Sequence, residues 1–210
     1  MNPLDYWQAK HPEYSKKDWI HKPTIFATHA VKYFPPSGRI LELGAGQGQD
    51  SLYFAKAGYE VVATDFSEFA LGQLQNKISP DMSDRLSVQH LDLSQPLTFP
   101  RESFDIVYSH LALHYFDQKR TQDLFKEIYA VLKPGGIFAT LTNTVEDPEI
   151  DRALRIEDEF YETGEITKRY FSTASMAKFT SKYKTLLLDN HGETHKDQIK
   201  TLIRFVGRKP

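Results

Sequence analysis

The chain has 210 residues, and its 26 basic and 28 acidic side chains leave a formal charge of −2 with histidine neutral. A chain of this length buries ~70% of its unfolded surface in one core, so one domain, or one domain with a small cap, accounts for it. The balanced charge removes the net basic surface that marks a nucleic-acid binder, and the absence of cysteine excludes disulfides, thiolate metal sites and cysteine nucleophiles. The N-terminus, MNPLDYWQAKHPEYSKK, lacks the apolar core of a signal peptide, and no apolar run is long enough to span a bilayer. The expectation is a soluble, cytoplasmic protein with no membrane partner.

In chain order, residues 1–38 form a distinct opening segment. It is rich in aromatics and histidine (Tyr6, Trp7, His11, Tyr14, Trp19, His21, Phe26, His29) and ends in Pro35-Pro36-Ser37-Gly38, a boundary signal. Ile40 to Leu43 reads as a strand, Gly44 to Gly48 as a glycine loop, and Gln49 to Ala57 as a helix stopped by Gly58. Glu60 to Thr64 is a second strand, and Ser67 caps a helix carrying Ala70, Leu71, Leu74 and Ile78 at helical spacing. Leu86 to His90 and Phe104 to Tyr108 are the third and fourth strands. Asp117 caps a helix with Leu124, Phe125, Ile128, Val131 and Leu132 on one face, stopped by Lys133-Pro134-Gly135-Gly136; Ile137 to Leu141 is the fifth strand. Such alternation predicts a parallel sheet covered by helices on both faces.

The remainder departs from this rhythm. Asp147-Pro148 reads as a helix start, and the acidic segment to Tyr161, with Ala153, Ile156 and Phe160 in line, reads as helical. Ser172 caps a further helix with Met176, Phe179 and Tyr183. Thr185 to Leu188 and Ile199 to Val206 close the chain as strands. The intervening loop, Asp189 to Gln198, is too short for a parallel crossover, so this pair is antiparallel.

Gly44, Gly46 and Gly48 follow a strand and open a helix, where glycine permits a sharp turn and close approach of a ligand. Asp65 lies at the end of the second strand, 19 residues past Gly46, where a carboxylate accepts both hydroxyls of a ribose. Together they read as a nucleoside site, against the plainer reading of a tight turn with a capping Asp. The spacing is G-x-G-x-G, not the G-x-G-x-x-G of dinucleotide sites, and no Gly-Lys-Ser/Thr follows. Glu42, two residues before the first glycine, repels a pyrophosphate and attracts an ammonium or sulfonium. A cationic nucleoside fits best.

The run Ile40-Leu41-Glu42-Leu43-Gly44-Ala45-Gly46-Gln47-Gly48 resembles motif I of the class I S-adenosylmethionine-dependent methyltransferases, of the small-molecule, type 11-like kind. The resemblance runs from Arg39 to Arg208. It takes in Val62-Ala63-Thr64-Asp65-Phe66-Ser67, Leu91-Asp92-Leu93, Phe104-Asp105-Ile106-Val107-Tyr108-Ser109 and Leu132-Lys133-Pro134-Gly135-Gly136. It implies a Rossmann-like, mostly parallel seven-stranded sheet with an antiparallel C-terminal hairpin over residues 39–210, and an N-terminal helical cap or lid over residues 1–38. It implies that S-adenosylmethionine is bound and S-adenosylhomocysteine released, with Glu42, Gly44, Ala45, Gly46, Gly48, Asp65, Phe66, Asp92, Leu93 and Ser109 on the cofactor. Asp65 would hold the ribose, Phe66 pack on the adenine, Asp92 accept from the adenine amino group and Leu93 offer its backbone.

The resemblance leaves the methyl acceptor open: an O, N or S atom of a small molecule, with a tRNA modifier or a non-catalytic cofactor-binding module as alternatives. His110, at the end of the fourth strand, is the one base named for an acidic acceptor. His110 and His114 are four apart but lack the Glu of H-E-x-x-H, so no metal is expected and His114 reads as structural beside Tyr115 and Phe116. His191 and His195 read as a solvated loop pair. Tyr6, Trp7, Trp19 and Lys22 are named as acceptor contacts if the opening segment is a lid, and as packing if it is a static cap. Arg169 and Tyr170 are acceptor contacts or core. The expected assembly is a monomer or homodimer, without nucleic acid.

Overall fold

The computed structural model describes residues 3–164, 166–195 and 201–210, with side chains from Asp5 onward. Ten strands are seen among them. β1 (Arg39–Leu43), β2 (Glu60–Asp65), β3 (Leu86–His90), β4 (Phe104–His110), β5 (Leu132–Asn143), β9 (Lys184–Gly192) and β10 (Leu202–Arg208) form one sheet in the order β3-β2-β1-β4-β5-β10-β9. The β1–β2, β2–β3, β1–β4 and β4–β5 pairs are parallel, and β10 runs antiparallel to both β5 and β9. The chain order reverses on either side of β1, so β1 and β4 open a crevice at their carboxyl ends, where open α/β sheets bind ligands.

Strand alternation sorts the apolar side chains onto two faces. Ile40, Val61, Ile106 and Tyr108 pack with Phe54 of α3 (Gln49–Lys56) and with Phe26 and Ala27 of α2 (Ile25–Ala30). Leu41, Leu43, Val107 and Phe138 pack with Leu124, Phe125 and Ile128 of α5 (Gln118–Val131). The second half of the opening segment is thus part of the core under the sheet, while its first half, α1 (Pro3–Tyr14) and the turn Asp18–His21, rides above the crevice. The capping assignments match the contacts: Ser67 Oγ accepts from Ala70 N ahead of α4 (Glu68–Gln75), Asp117 Oδ1 from Arg120 N, and Ser172 Oγ from Ser175 N ahead of α6 (Thr173–Phe179).

Two expectations need correction. Lys133-Pro134-Gly135-Gly136 does not precede the fifth strand but lies within β5, which begins at Leu132. The acidic segment after Asp147 is not a long helix. Asp147 does accept from Glu149 N, but the helix is a single 3-10 turn, Pro148–Arg152. Beyond it β6 (Leu154–Glu157), β7 (Phe160–Thr163) and β8 (Ile166–Arg169) form a separate antiparallel sheet. Glu159 and Gly164 take positive φ of 56° and 64° at or beside its two turns. Burial of Phe160, Ile166 and Arg169 holds the sheet in place and overrides the weak helical spacing. The start of the last predicted strand, Ile199, lies outside the described residues; β10 begins at Leu202.

Candidate active site

At the carboxyl ends of β1 and β4 lies a cleft of about 540 Å³. Gly44, Ala45 and Gly46 form one wall. Gly44 N and Ala45 N both donate to Thr64 O, at 2.9 and 2.8 Å, which folds the loop tightly against β2. Gly44 has φ +76°, and a Cβ there would fall 2.2 Å from the Ala112 Cβ, so only glycine fits. Gly48 does not line the cleft, contrary to expectation. It precedes α3 with φ +79°, and a Cβ would sit 2.1 Å from Leu74 Cδ1, so its glycine serves helix packing.

Asp65, Phe66, Asp92 and Leu93 gather on the opposite side of the loop. Asp65 Oδ2 accepts from Gly46 N at 2.8 Å and Oδ1 from Ser67 N at 2.9 Å. A carboxylate has about four lone-pair sites, so each oxygen keeps one for a ligand hydroxyl. Asp92 is set by Ser94, whose N and Oγ donate to its two oxygens at 2.8 and 2.7 Å.

Glu42 lines the base of the cleft and is only 3% exposed. Ser51 Oγ donates to it at 2.5 Å. Burial and the nearby Asp50 push its carboxyl up to about 8. Asp50, at the N-terminus of α3, is buried beside it and accepts from Thr24 N, Thr24 Oγ1 and Tyr108 Oη at 2.7, 2.8 and 2.7 Å. Burial raises its pKa, against the opposing pull of the Thr24 and Tyr108 hydrogen bonds.

α1 closes the cleft from above. Gln47, within the glycine loop, donates through Nε2 to His11 O at 2.8 Å and accepts from Ser15 Oγ at 3.0 Å, so the loop itself holds the helix down. His11 is 7% exposed, and its Cε1 is the nearest atom to a notional Cβ on Gly46. Burial lowers its pKa, and Asp65 pulls in the other direction. Trp7, Tyr14 and Trp19 line the cleft beneath α1 and the turn after it; Tyr6 and Lys22 do not.

Other expected contacts fall elsewhere. Strand alternation puts Tyr108 and His110 on one face of β4 and Ser109 on the other. Ser109 is fully buried, donates to Leu43 O at 2.8 Å and is not a cleft residue. His110 lines the cleft at the strand end, where Leu111 turns the chain with φ +57°. His114 is buried with its ring 4.3 Å from Tyr115; the segment joining the two histidines is a turn, not the helix that would align them. No group of three or more His, Asp or Glu able to hold a metal occurs among the described residues. His195 is exposed, in line with a solvated residue; it also lines the cleft, and its Nε2 lies 3.0 Å from Pro23 O.

Arg169 and Tyr170 are core residues, not acceptor contacts. Arg169 is 1% exposed; its guanidinium pairs with Glu157 and donates to Asp158 O and Phe116 O. Tyr170 Oη donates to Glu149 at 2.8 Å. Arg169→Ala should cost about 2–4 kcal/mol of stability, from the lost pairing of Glu157 and two unmet carbonyls. Ligand affinity should stay within about twofold, since the residue lies outside the cleft. Thermal melts and calorimetry on one preparation separate the two effects, and a tenfold loss of affinity without a drop in melting temperature would return Arg169 to the site.

Residues 40–136 match the family described as a methyltransferase domain. Over these residues, just under half of its length, the chain is similar to that methyltransferase-domain family. The chain is 36% identical over 104 residues to an uncharacterized methyltransferase of Synechocystis sp., covering 50% of this chain and 46% of that protein. It is 32% identical over 149 residues to the malonyl-[acyl-carrier protein] O-methyltransferase of Enterobacter lignolyticus, covering 70% and 56%. The chain spans about half the length of these relatives. The chain also shares its fold with the Burkholderia thailandensis 1,6-didemethyltoxoflavin-N1-methyltransferase, solved with S-adenosylhomocysteine (TM-score 0.77, 15% identity, 98% and 84% covered). A second structural neighbour is an S-adenosylmethionine-dependent methyltransferase of Methanosarcina mazei (TM-score 0.71, 20% identity, 85% and 95% covered). Among the described residues no helix is long and apolar enough to cross a membrane.

Proposed function

We propose that the chain transfers the methyl group of S-adenosylmethionine to an O, N or S atom of a small molecule. The observation that carries this reading is the buried carboxyl of Glu42 beside the glycine loop, in a cleft where no Lys or Arg is among the described lining residues. A buried acid without a cation is costly and favours a cationic ligand. The donor set fits the cofactor: Glu42 toward its ammonium, Asp65 toward the ribose hydroxyls, and Phe66, Asp92 and Leu93 toward the adenine. The lack of lining cations also weighs against an RNA substrate.

When bound, S-adenosylmethionine supplies a methyl activated by a sulfonium whose leaving thioether is neutral. What the chain contributes is alignment and the exclusion of water by α1. His110 takes a proton from an acceptor that needs deprotonation. A methyl-transfer screen of small molecules with labelled cofactor tests the reading. With the acceptor in hand, His110→Ala should lose about a hundredfold in rate at neutral pH. His114→Ala, behind Tyr115, should lose far less, and turnover should survive excess chelator. Equal losses in the two variants would remove His110 from the chemistry.

The charge state of Glu42 yields a further expected result. In the free protein its carboxyl, pushed up to about 8, holds a proton at neutral pH. An ammonium beside it favours the ionised form, so cofactor binding at pH 7 should release a proton, and affinity should rise with pH up to about 8. The same raised pKa makes its contribution to folding stability greatest below its unfolded pKa and lost as pH rises through the folded one. Calorimetry in buffers of different ionisation enthalpy counts the proton. Glu42→Gln should abolish its release, and release that persists in that variant would assign it elsewhere.

A further inference from the structure

We propose that the methyl acceptor is an aromatic ring compound carrying no negative charge, held between the ring surfaces of Trp7, Tyr14, Trp19 and Tyr115. This rests on the methyltransferase reading above and narrows it. Two elements far apart in sequence bring the rings together: the opening segment and the turn after β4. Trp7 stands edge-on to Tyr115 at 5.9 Å and 81°, and to Tyr14 at 6.0 Å and 65°; Tyr14 stands edge-on to Trp19 at 5.2 Å and 65°. All four are half-buried and line the cleft. Edge-to-face rings around an open volume offer π-faces to a flat guest and to a cation.

Charge narrows the guest further. Glu42, Asp50, Asp65 and Asp92 line the same cleft, and no Lys or Arg is among its described lining residues. The basic groups at hand in the opening segment point elsewhere: Lys10 pairs with Glu13, and Lys22 is exposed outside the cleft. A carboxylate or phosphate ester entering here meets no guanidinium or ammonium among the described lining residues to hold it, whereas a neutral or protonated ring meets aromatic faces. Among the described lining residues only the histidines can carry positive charge, so the test is run above their ordinary pKa.

The chain contains two tryptophans, and both line the cleft, so fluorescence excited selectively in tryptophan reports on it without turnover. The protein is first titrated with S-adenosylhomocysteine, then held saturated at pH 7.5. It is then titrated with phenethylamine, 2-phenylethanol, phenylacetate and phenyl phosphate, which share a ring and differ in charge. The amine and the alcohol should shift the emission with dissociation constants at least tenfold below those of the two anions. Trp7→Leu, read through Trp19, should weaken the amine at least fivefold. An anion binding as tightly as the amine, or no probe shifting the emission up to its solubility, overturns the proposal while leaving the methyltransferase reading intact. Failure of S-adenosylhomocysteine itself to bind overturns both.

Discussion

Asp65→Ala should lower the affinity for S-adenosylhomocysteine by about a hundredfold. The carboxylate ends β2 beside the glycine loop, and its oxygens already accept from Gly46 N and Ser67 N. Two further hydrogen bonds to ribose hydroxyls would be charge-assisted, each contributing ~1.5–3 kcal/mol, and ~3 kcal/mol in total is a factor of about a hundred. Part of the loss comes from the loop, since Gly46 N loses its acceptor in the variant. Asp65→Asn separates the two contributions: it keeps one acceptor oxygen for Gly46 or the ribose but removes the charge, and should fall between wild type and alanine. Titration calorimetry reads all three proteins. If alanine binds as tightly as wild type, Asp65 serves the turn alone and the nucleoside assignment fails.

Asp50→Ala should be the most destabilising of the single changes around the cleft, by about 3–5 kcal/mol. It strips the acceptor from three donors at once: Thr24 N, Thr24 Oγ1 and Tyr108 Oη. Thr24 Oγ1 and Tyr108 Oη retain each other at 3.1 Å, but Thr24 N–H is left buried and unpaired. An orphaned buried donor costs ~1–3 kcal/mol, and loss of the remaining bonds adds to it. For a chain of this size each kcal/mol lowers the melting temperature by about 2–4 °C, so a drop near ~12 °C is expected. Removing Asp50 also removes a negative neighbour that helps raise Glu42, so the Glu42 carboxyl should titrate lower in Asp50→Asn than in wild type. Hydrogen exchange adds a spatial readout: the anchor at Thr24 is where the opening segment enters the core, so exchange over residues 3–34 should speed up first. A variant that melts with wild type would mean that Thr24 and Tyr108 find other partners and that the anchor is dispensable.

Legibility from sequence followed the range of the forces involved. The β1 strand, the glycine loop and α3 were readable because each is specified locally, by β-branched and apolar runs and by positive φ. The same holds for the caps at Ser67, Asp117 and Ser172, where a side chain reaches a backbone N–H three residues on. Asp65, Phe66, Asp92 and Leu93 were legible because a parallel sheet carries its strand ends to one edge whatever the packing details. The segment after Asp147 reads as helical in sequence because its apolar residues satisfy a loose helical spacing as well as short strands, and only burial of Phe160, Ile166 and Arg169 against the body chooses.

Side-chain destinations were the other limit. Ser109 and His110 are adjacent in sequence, and the period of two in a strand sends one into the core and the other into the cleft. Arg169 ahead of two aromatics looks like a ligand contact, and it is the pairing with Glu157, twelve residues earlier, that makes it a core residue. His11, Asp50 and His195 carried no local signal, because each reaches the cleft through a partner distant in the chain. What the sequence by itself determined is therefore the sheet, its crevice and most of the strand-end residues that line it, all set by local propensity and strand order. What only the tertiary structure decided is the three-stranded insert, the aromatic ceiling and the buried Glu42–Asp50 pair, since each depends on desolvation and contacts between segments that no local pattern encodes.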